Sequence, residues 1–261
     1  MHENPKTHIP TVYLVVPCYN EEEVLPETVK RLTAKLQQMQ QAGLAGEKSR
    51  MLFVDDGSKD RTWELISAFS AQNPLVTGLK LAHNRGHQNA LLAGLMEAKD
   101  RADCAISLDA DLQDDVNAMY GFLEEFRNGA DVVSGVRSSR AKDTFFKRAT
   151  AQGFYKMMNR LGVEMVYNHA DYRLLSKRAL HSLLSFGEVN IFLRGMVPLV
   201  GFKSTCVTYE RHERIAGESH YPLSKMLSLA FDGITSLSVK PIRFITGFGV
   251  IVALISFIGV I

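Results

Sequence analysis

The first half of the chain alternates short apolar runs with stretches of helical period, and this alternation restricts the fold more than any single residue does. Val12 to Val16 is apolar and β-branched; Glu21 to Gln41 then places Val24, Leu25, Val29, Leu32 and Leu36 at the spacing of one helix face. Met51 to Val54 is a second strand, followed by a helix through Trp63, Leu65, Ile66 and Phe69 that Ser58 or Asp60 is placed to cap. Leu75 to Leu81 is a third strand, His83-Asn84-Arg85-Gly86 a turn, and Asn89 to Ala98 a third helix. A strand over Asp103 to Leu108, a helix over Met119 to Phe126 and a strand over Ala130 to Val136 complete the series. Strands separated by helices in this way form right-handed βαβ units, so the expected fold is α/β with a mostly parallel sheet flanked by helices.

Sheets of this kind bind ligands beyond the carboxyl ends of their strands. Strand one runs into Tyr19-Asn20-Glu21, strand two into Asp55-Asp56-Gly57-Ser58, and strand four into Asp109-Ala110-Asp111-Leu112-Gln113-Asp114-Asp115. Asp109 and Asp111 offer hard oxygen donors to one cation, and a diphosphate can complete its shell. Taken alone, a solvated loop with a helix cap at Asp114 or Asp115 explains these acids equally well, and Asp55-Asp56-Gly57-Ser58 is ordinary turn chemistry. Their convergence on one edge favours a cation and a ligand rich in donors, because crowded carboxylates repel one another.

Several classes are excluded. Glycine-rich phosphate loops of the dinucleotide and P-loop kinds are absent. A net charge of +2 gives no field for nucleic acid. Cys18, Cys104 and Cys206 lie far apart, which fits neither a disulfide framework nor a zinc knuckle. His83 and His87 have the i, i+4 spacing of a zinc pair, but the turn between them argues against ligation.

The second half is less regular. It holds a polar, basic stretch from Arg137 to Arg148, a helical pattern through Phe154 and Leu161, and a strand or extended loop over Tyr167 to Leu175. A short helix over Ile191 to Val200, an edge strand over Lys203 to Tyr209 and an amphipathic stretch over Pro222 to Val239 follow. Phe244 to Ile261 carries no charge and approaches the ~20 residues that cross a bilayer, so a transmembrane helix is expected there, stopping inside a span of a longer protein. Lys240 and Arg243 before it place the preceding domain in the cytoplasm.

The stretches VVPCYNEEEVL, FVDDGSKDRTWELI, NRGHQNALLAGL, DADLQDD, DYRLLSKRAL, FLRGMVPLVGF and RIAGESHYPLSKM, in that order, resemble the family-2 inverting glycosyltransferases. More narrowly they resemble the polyprenyl-phosphate glycosyltransferases related to dolichol-phosphate mannose synthase and the bactoprenol glucosyltransferases. The resemblance implies a GT-A fold over 1–220, an amphipathic juxtamembrane region over 221–240 and a transmembrane helix over 241–261. It implies a nucleotide-sugar donor, Mg²⁺ or Mn²⁺, and a polyprenyl phosphate acceptor at the cytoplasmic face of the inner membrane, with a homo-oligomer, a tetramer among relatives, and no nucleic acid. Pro17, Tyr19, Asn20, Glu21, Asp55, Asp56 and Asp109 would bind the nucleotide, and Asp109, Asp111 and Gln113 the metal and diphosphate. Arg137, Arg173, Arg214, Ser219 and His220 would hold acceptor phosphate or leaving diphosphate, His220 standing where relatives have lysine. Asp171 would act as base, or else orient Arg173 or Arg137 by a charge-assisted hydrogen bond. The expected reaction is inverting transfer of one sugar from UDP-glucose or a UDP-N-acetylhexosamine. GDP-mannose-dependent transfer to a polyprenyl phosphate and a catalytically silent membrane-tethered subunit are the alternatives.

Overall fold

The structure is a computed structural model that describes residues 8–138, 169–187, 193–210 and 240–259. Its elements are β1 (Val12–Cys18), α1 (Leu25–Gln41), β2 (Arg50–Asp55), α2 (Thr62–Gln72), β3 (Val76–Lys80), α3 (His87–Ala98), β4 (Cys104–Ser107), α4 (Ala118–Arg127) and β5 (Val132–Arg137). β6 (His169–Ser176), α5 (Lys177–Leu184), α6 (Leu193–Leu199), β7 (Ser204–Tyr209) and α7 (Lys240–Ile258) follow. These residues form two compact units: the sheet and helices α1 to α5 in one, α6 and α7 in the other.

The sheet has seven strands in the order β3-β2-β1-β4-β6-β5-β7. β1 is buried along its whole length because both of its faces are covered, which is why it reads as a continuous apolar run rather than an alternating one. Leu14 and Val16 share one core with Leu25, Leu32 and Leu36 of α1. On the opposite face α3 approaches so closely that a Cβ on Gly94 would lie 2.4 Å from Val15 Cγ1. Each fully buried Leu or Phe here stabilises the fold by roughly 1.5–3 kcal/mol. β7 closes the sheet, with the alternating exposure expected of an edge strand.

One expectation is extended and another is corrected. The strand over Tyr167 to Leu175 is present as β6, but it lies between β4 and β5 and pairs antiparallel with both. β5 and β7 then resume the common direction. The expected caps also differ: Asp60 Oδ1 accepts from Thr62 N (3.0 Å) just inside α2, whereas Ser58 Oγ accepts from Asn20 N (3.0 Å).

The expected transmembrane helix at the C-terminus is not shown. Among the described residues no helix is long and apolar enough to cross a membrane. Arg243 lies within α7. The helical pattern through Phe154, the basic pair Lys147 and Arg148, and the amphipathic stretch before Lys240 lie outside the described residues.

One polar clasp ties the far side of the sheet. Asp131 is 4 % exposed, at the start of β5, and its carboxylate accepts from Ser176 Oγ (2.7 Å) and from both Nε and NH2 of Arg178. Ser176 in turn caps α5 by accepting from Ala179 N (3.2 Å). Burial alone would raise the pKa of Asp131, but the bonds from Arg178 and Ser176 outweigh it and hold the pKa below the usual carboxylate value. A depressed native pKa stabilises the fold above the unfolded value of ~3.9 and loses that contribution as pH falls through the native value. Asp131→Asn should therefore cost about 1.5–3 kcal/mol at neutral pH. In urea unfolding the gap to the parent should close as the medium is acidified; a gap independent of pH would show that the carboxylate charge does not stabilise the fold.

Candidate active site

The polar residues gather at the carboxyl edge of the sheet. Cys18, Asp55, Ser107, Arg137 and Tyr209 end β1, β2, β4, β5 and β7. Because β6 runs the other way, its first half reaches this same edge: Arg173 pairs with Ser107, and Asp171 lies beyond it. Ser107 Oγ donates to the Asp171 carbonyl (2.5 Å), pinning the start of β6 to the end of β4.

On the β1–β2 side, two loops are laced together. Asn20 N donates to Ser58 Oγ (3.0 Å), Glu21 N to Thr62 Oγ1 (2.8 Å) and Glu22 N to Asp60 Oδ2 (3.1 Å). In return Lys59 N donates to Asn20 Oδ1 (2.9 Å), and Asn20 adopts the left-handed conformation at φ 54°. Pro17 is buried within β1 and Tyr19 is exposed at its end.

The adjacent acids of β2 have different tasks. Asp56 accepts from Arg85 N (2.7 Å) through Oδ1 and from Gly86 N (2.9 Å) through Oδ2, so both oxygens hold the turn before α3. Gly57 lies under the same turn: its φ is +67°, and a Cβ there would sit 2.6 Å from the His83 backbone. Asp55 is fully buried; its Oδ1 accepts from Ser58 N (3.1 Å), while Oδ2 has no hydrogen-bond partner among the described residues. A buried carboxylate oxygen without a donor costs free energy until a ligand supplies an N–H or O–H. Of the two acids, Asp55 is the one with capacity for a ligand.

At the end of β4 the loop carrying Asp109 and Asp111 is fixed from below. Thr28 Oγ1 of α1 donates to the Ala110 carbonyl (2.6 Å), between the two acids. Asp111 Oδ1 accepts from Gln113 N (3.2 Å), and Leu112 takes φ 47°. The side chain of Gln113, expected at the metal, is buried. Partial withdrawal from water raises the pKa of Asp109, His87 opposes this, and Asp171, Asp114 and Asp111 raise it further. His87, the first residue of α3, stands between two of these acids, its Nε2 lying 3.6 Å from Asp109 Oδ1 and 3.8 Å from Asp171 Oδ2.

Asp171 is nearly buried, and its Oδ1 accepts from Arg173 NH2 (3.0 Å). Arg173 itself is only 5 % exposed. The remaining arginine, Arg137, belongs to a different group. Tyr209 OH donates to Asp114 Oδ1 (2.7 Å), Arg137 NH2 lies 3.5 Å from the same oxygen, and Arg137 Nε lies 3.4 Å from the Tyr209 hydroxyl. Removal from water would lower the pKa of Arg137, but Asp114, Tyr209 and Asp109 raise it. Asp115, not Asp114, serves the helix: its Oδ1 accepts from Asn117 N (2.9 Å) before α4.

The structure thus brings together Asp109, Asp111, Asp171, Arg173 and Arg137, with Asp55 and the Asn20–Glu21 loop beside β2. Arg214, Ser219 and His220 lie outside the described residues. Sequence reasoning missed His87, Asp114 and Tyr209. In sequence His87 has the spacing of half a zinc pair, and its signal is its place at the start of a helix that follows the third strand. Among the described residues no group of three or more His, Cys, Asp and Glu side chains is arranged to hold a metal.

Residues 13–184 match the Glycosyl transferase family 2 profile. The chain belongs to this family. It is 56 % identical, over 95 % of its length and 73 % of the other protein, to the uncharacterized glycosyltransferase YkoT of Bacillus subtilis (strain 168). It is 38 % identical, over 95 % of its length and 78 % of the other protein, to the bactoprenol glucosyl transferase of Shigella phage SfV. The fold is similar to glucosyl-3-phosphoglycerate synthase from Mycobacterium tuberculosis, solved in complex with Mn²⁺, UDP and phosphoglyceric acid, with a TM-score of 0.55 over 90 % of this chain and 79 % of that one at 16 % identity. The α/β architecture is therefore of the GT-A type, and the chain is a glycosyltransferase.

The division of labour between Asp55 and Asp56 is directly measurable. Asp56→Ala should lower the hydrogen-exchange protection of the Arg85 and Gly86 amides by about 10- to 100-fold, the equivalent of a charged hydrogen bond of ~1.5–3 kcal/mol. Asp55→Ala should leave these amides protected and weaken nucleotide binding in titration calorimetry. The opposite pattern would reverse the assignment.

Proposed function

We propose that this glycosyltransferase moves one sugar, with inversion, from a UDP-sugar to a polyprenyl phosphate at the cytoplasmic face of the inner membrane. The observation that carries the acceptor class is the 38 % identity, along 95 % of the chain, to a bactoprenol glucosyl transferase. The same similarity favours glucose ahead of an N-acetylhexosamine. A GDP-mannose donor is the alternative that the donor panel below tests.

The crevice supports this chemistry residue by residue. Asp55 and the loop through Tyr19, Asn20 and Glu21 receive the nucleoside. Asp109 and Asp111 supply hard oxygen donors in a place where Asp114 and Asp171 add negative charge, which is the donor chemistry a Mg²⁺ or Mn²⁺ requires. With only these carboxylates available, diphosphate oxygens would complete the shell. Bound there, the cation would neutralise the departing diphosphate without proton transfer.

The acceptor needs little help from a base. A phosphate monoester has a second pKa of ~6 and is mostly dianionic at neutral pH. Asp171 is bonded to the buried Arg173, so we assign it an orienting task rather than proton abstraction. Arg137, on the opposite side of Asp109 from the nucleoside loops in strand order, brings the positive charge that two approaching anions require. α7 leaves Phe244, Ile245, Phe248, Phe257 and Ile258 each at least 63 % exposed, a surface suited to contact with lipid. Attachment of the 1–220 domain to the bilayer through residues 221–261 forms part of the proposal.

Membranes holding the protein should transfer label from UDP-glucose to undecaprenyl phosphate when a panel of radiolabelled nucleotide sugars is followed by lipid extraction. Absence of lipid-phase label from every donor would overturn the proposal. Asp111→Asn should abolish metal-stimulated transfer in a chain of unchanged Tm, and full activity in that variant would remove the metal assignment. Asp171→Asn should lower the rate by a similar factor across the pH range; disappearance of the acidic limb of the pH–rate profile would instead identify a base.

A further inference from the structure

We infer that Tyr209 is a positioning residue that presents the Arg137 guanidinium to the acceptor phosphate by occupying Asp114. The inference rests on the acceptor role proposed for Arg137. Its starting point is register: Tyr209 and Arg137 are direct partners across the β5–β7 pair, and Ser138 N donates to the Tyr209 carbonyl (2.9 Å), so both side chains leave the sheet at one place.

The Tyr209 ring is held by its neighbours. It meets Tyr172 edge-on with centroids 5.3 Å apart, and Tyr172 packs on Phe122 at 4.7 Å. Gly135 leaves room for it, since a Cβ there would come within 2.8 Å of Tyr209 Cε1. Tyr172 OH is tied to the Asp115 carbonyl (3.1 Å), so the aromatic stack is also fastened to the loop that carries Asp114. Tyr209 is 4 % exposed, and its hydroxyl is therefore fixed before any ligand arrives.

That hydroxyl takes the close position on Asp114. It donates to Oδ1 at 2.7 Å, and Arg137 NH2 reaches the same oxygen only at 3.5 Å. A carboxylate and a guanidinium with nothing between them form a short bidentate pair, in which the arginine's charge is spent within the protein. Here that oxygen already accepts from a neutral donor, and the tyrosine oxygen also accepts from Arg137 Nε at 3.4 Å. Arg137 is thereby aligned yet only loosely paired, and its side chain remains 27 % exposed at the edge where Asp109 lies. Aligning a long, flexible side chain beforehand removes an ordering cost from substrate binding. Tyr172 and Tyr209 both have raised pKa values, first because of burial and then because of Asp114, so both hydroxyls remain protonated donors at neutral pH.

The test is a double-mutant cycle on transfer from UDP-glucose to undecaprenyl phosphate, with Tm measured for each variant. Tyr209→Phe keeps the ring and removes only the oxygen. It should lower kcat/KM for the acceptor about 10-fold, leave KM for the nucleotide-sugar unchanged, and cause no further loss in an Arg137→Ala background. Asp114→Asn, which removes the shared carboxylate, should show the same lack of additivity. If Arg137→Ala is impaired and Tyr209→Phe is not, or if the two losses multiply, the positioning role is wrong while the acceptor role of Arg137 stands. If Arg137→Ala is itself fully active, the acceptor role fails and this inference fails with it.

Discussion

Repulsion among carboxylates at the end of β4 is the constraint around which the site is built. Asp109, Asp111, Asp114 and Asp171 converge there, and the pKa of Asp109 is raised first by withdrawal from water and then, against the opposing effect of His87, by these like charges. Two of the acids are settled within the protein: Asp114 by Tyr209 and Arg137, and Asp171 by Arg173. Asp109 has His87 at 3.6 Å, beyond hydrogen-bond length. The D-x-D loop that carries Asp109 and Asp111 is held in place by Thr28 and the turn at Leu112. Under the proposed function, a cation and its diphosphate would offset the repulsion among these acids, which links the charge of the edge to the ligand it would take.

Strand reversal supplies the second half of the site. Had β6 continued the parallel run, its amino-terminal residues would lie at the opposite edge. Running antiparallel between β4 and β5, it delivers Asp171 and Arg173 from its own beginning to the place where its neighbours end. The two residues are i, i+2 and share a face, so one bonds the other while both remain near Asp109.

These features account for what could be read without coordinates. The first five strands and their helices were legible because each apolar run has the period of its element, and the acids at strand ends were legible because βαβ order fixes which edge they share. The direction of β6 was not, since YNHADYRLL has no period that distinguishes parallel from antiparallel pairing. Nor was the separation of Asp55 from Asp56: both are strand-end acids, and only the amides of Arg85 and Gly86, some thirty positions away in sequence, show which one is occupied. Tyr209 looked like the end of an edge strand, and its partner Asp114 like a helix cap. Their bond spans 95 positions and leaves no local trace.

The distribution of donors also explains why this edge can bring two anions together. Fixed positive charge is not spread evenly along it. Arg173 is buried against Asp171, so its charge acts mainly to hold that acid; Arg137 stays partly exposed and loosely paired. Amide and hydroxyl donors are spent on the nucleoside-side loops, where they shape a rigid cradle without adding charge. Among the described residues, the acids that could serve a cation therefore sit between a neutral cradle on one side and the partly exposed Arg137 guanidinium on the other. Under the proposed function, such an arrangement would let a donor diphosphate and an acceptor phosphate be neutralised by different groups, lowering the repulsion between them without a proton changing hands.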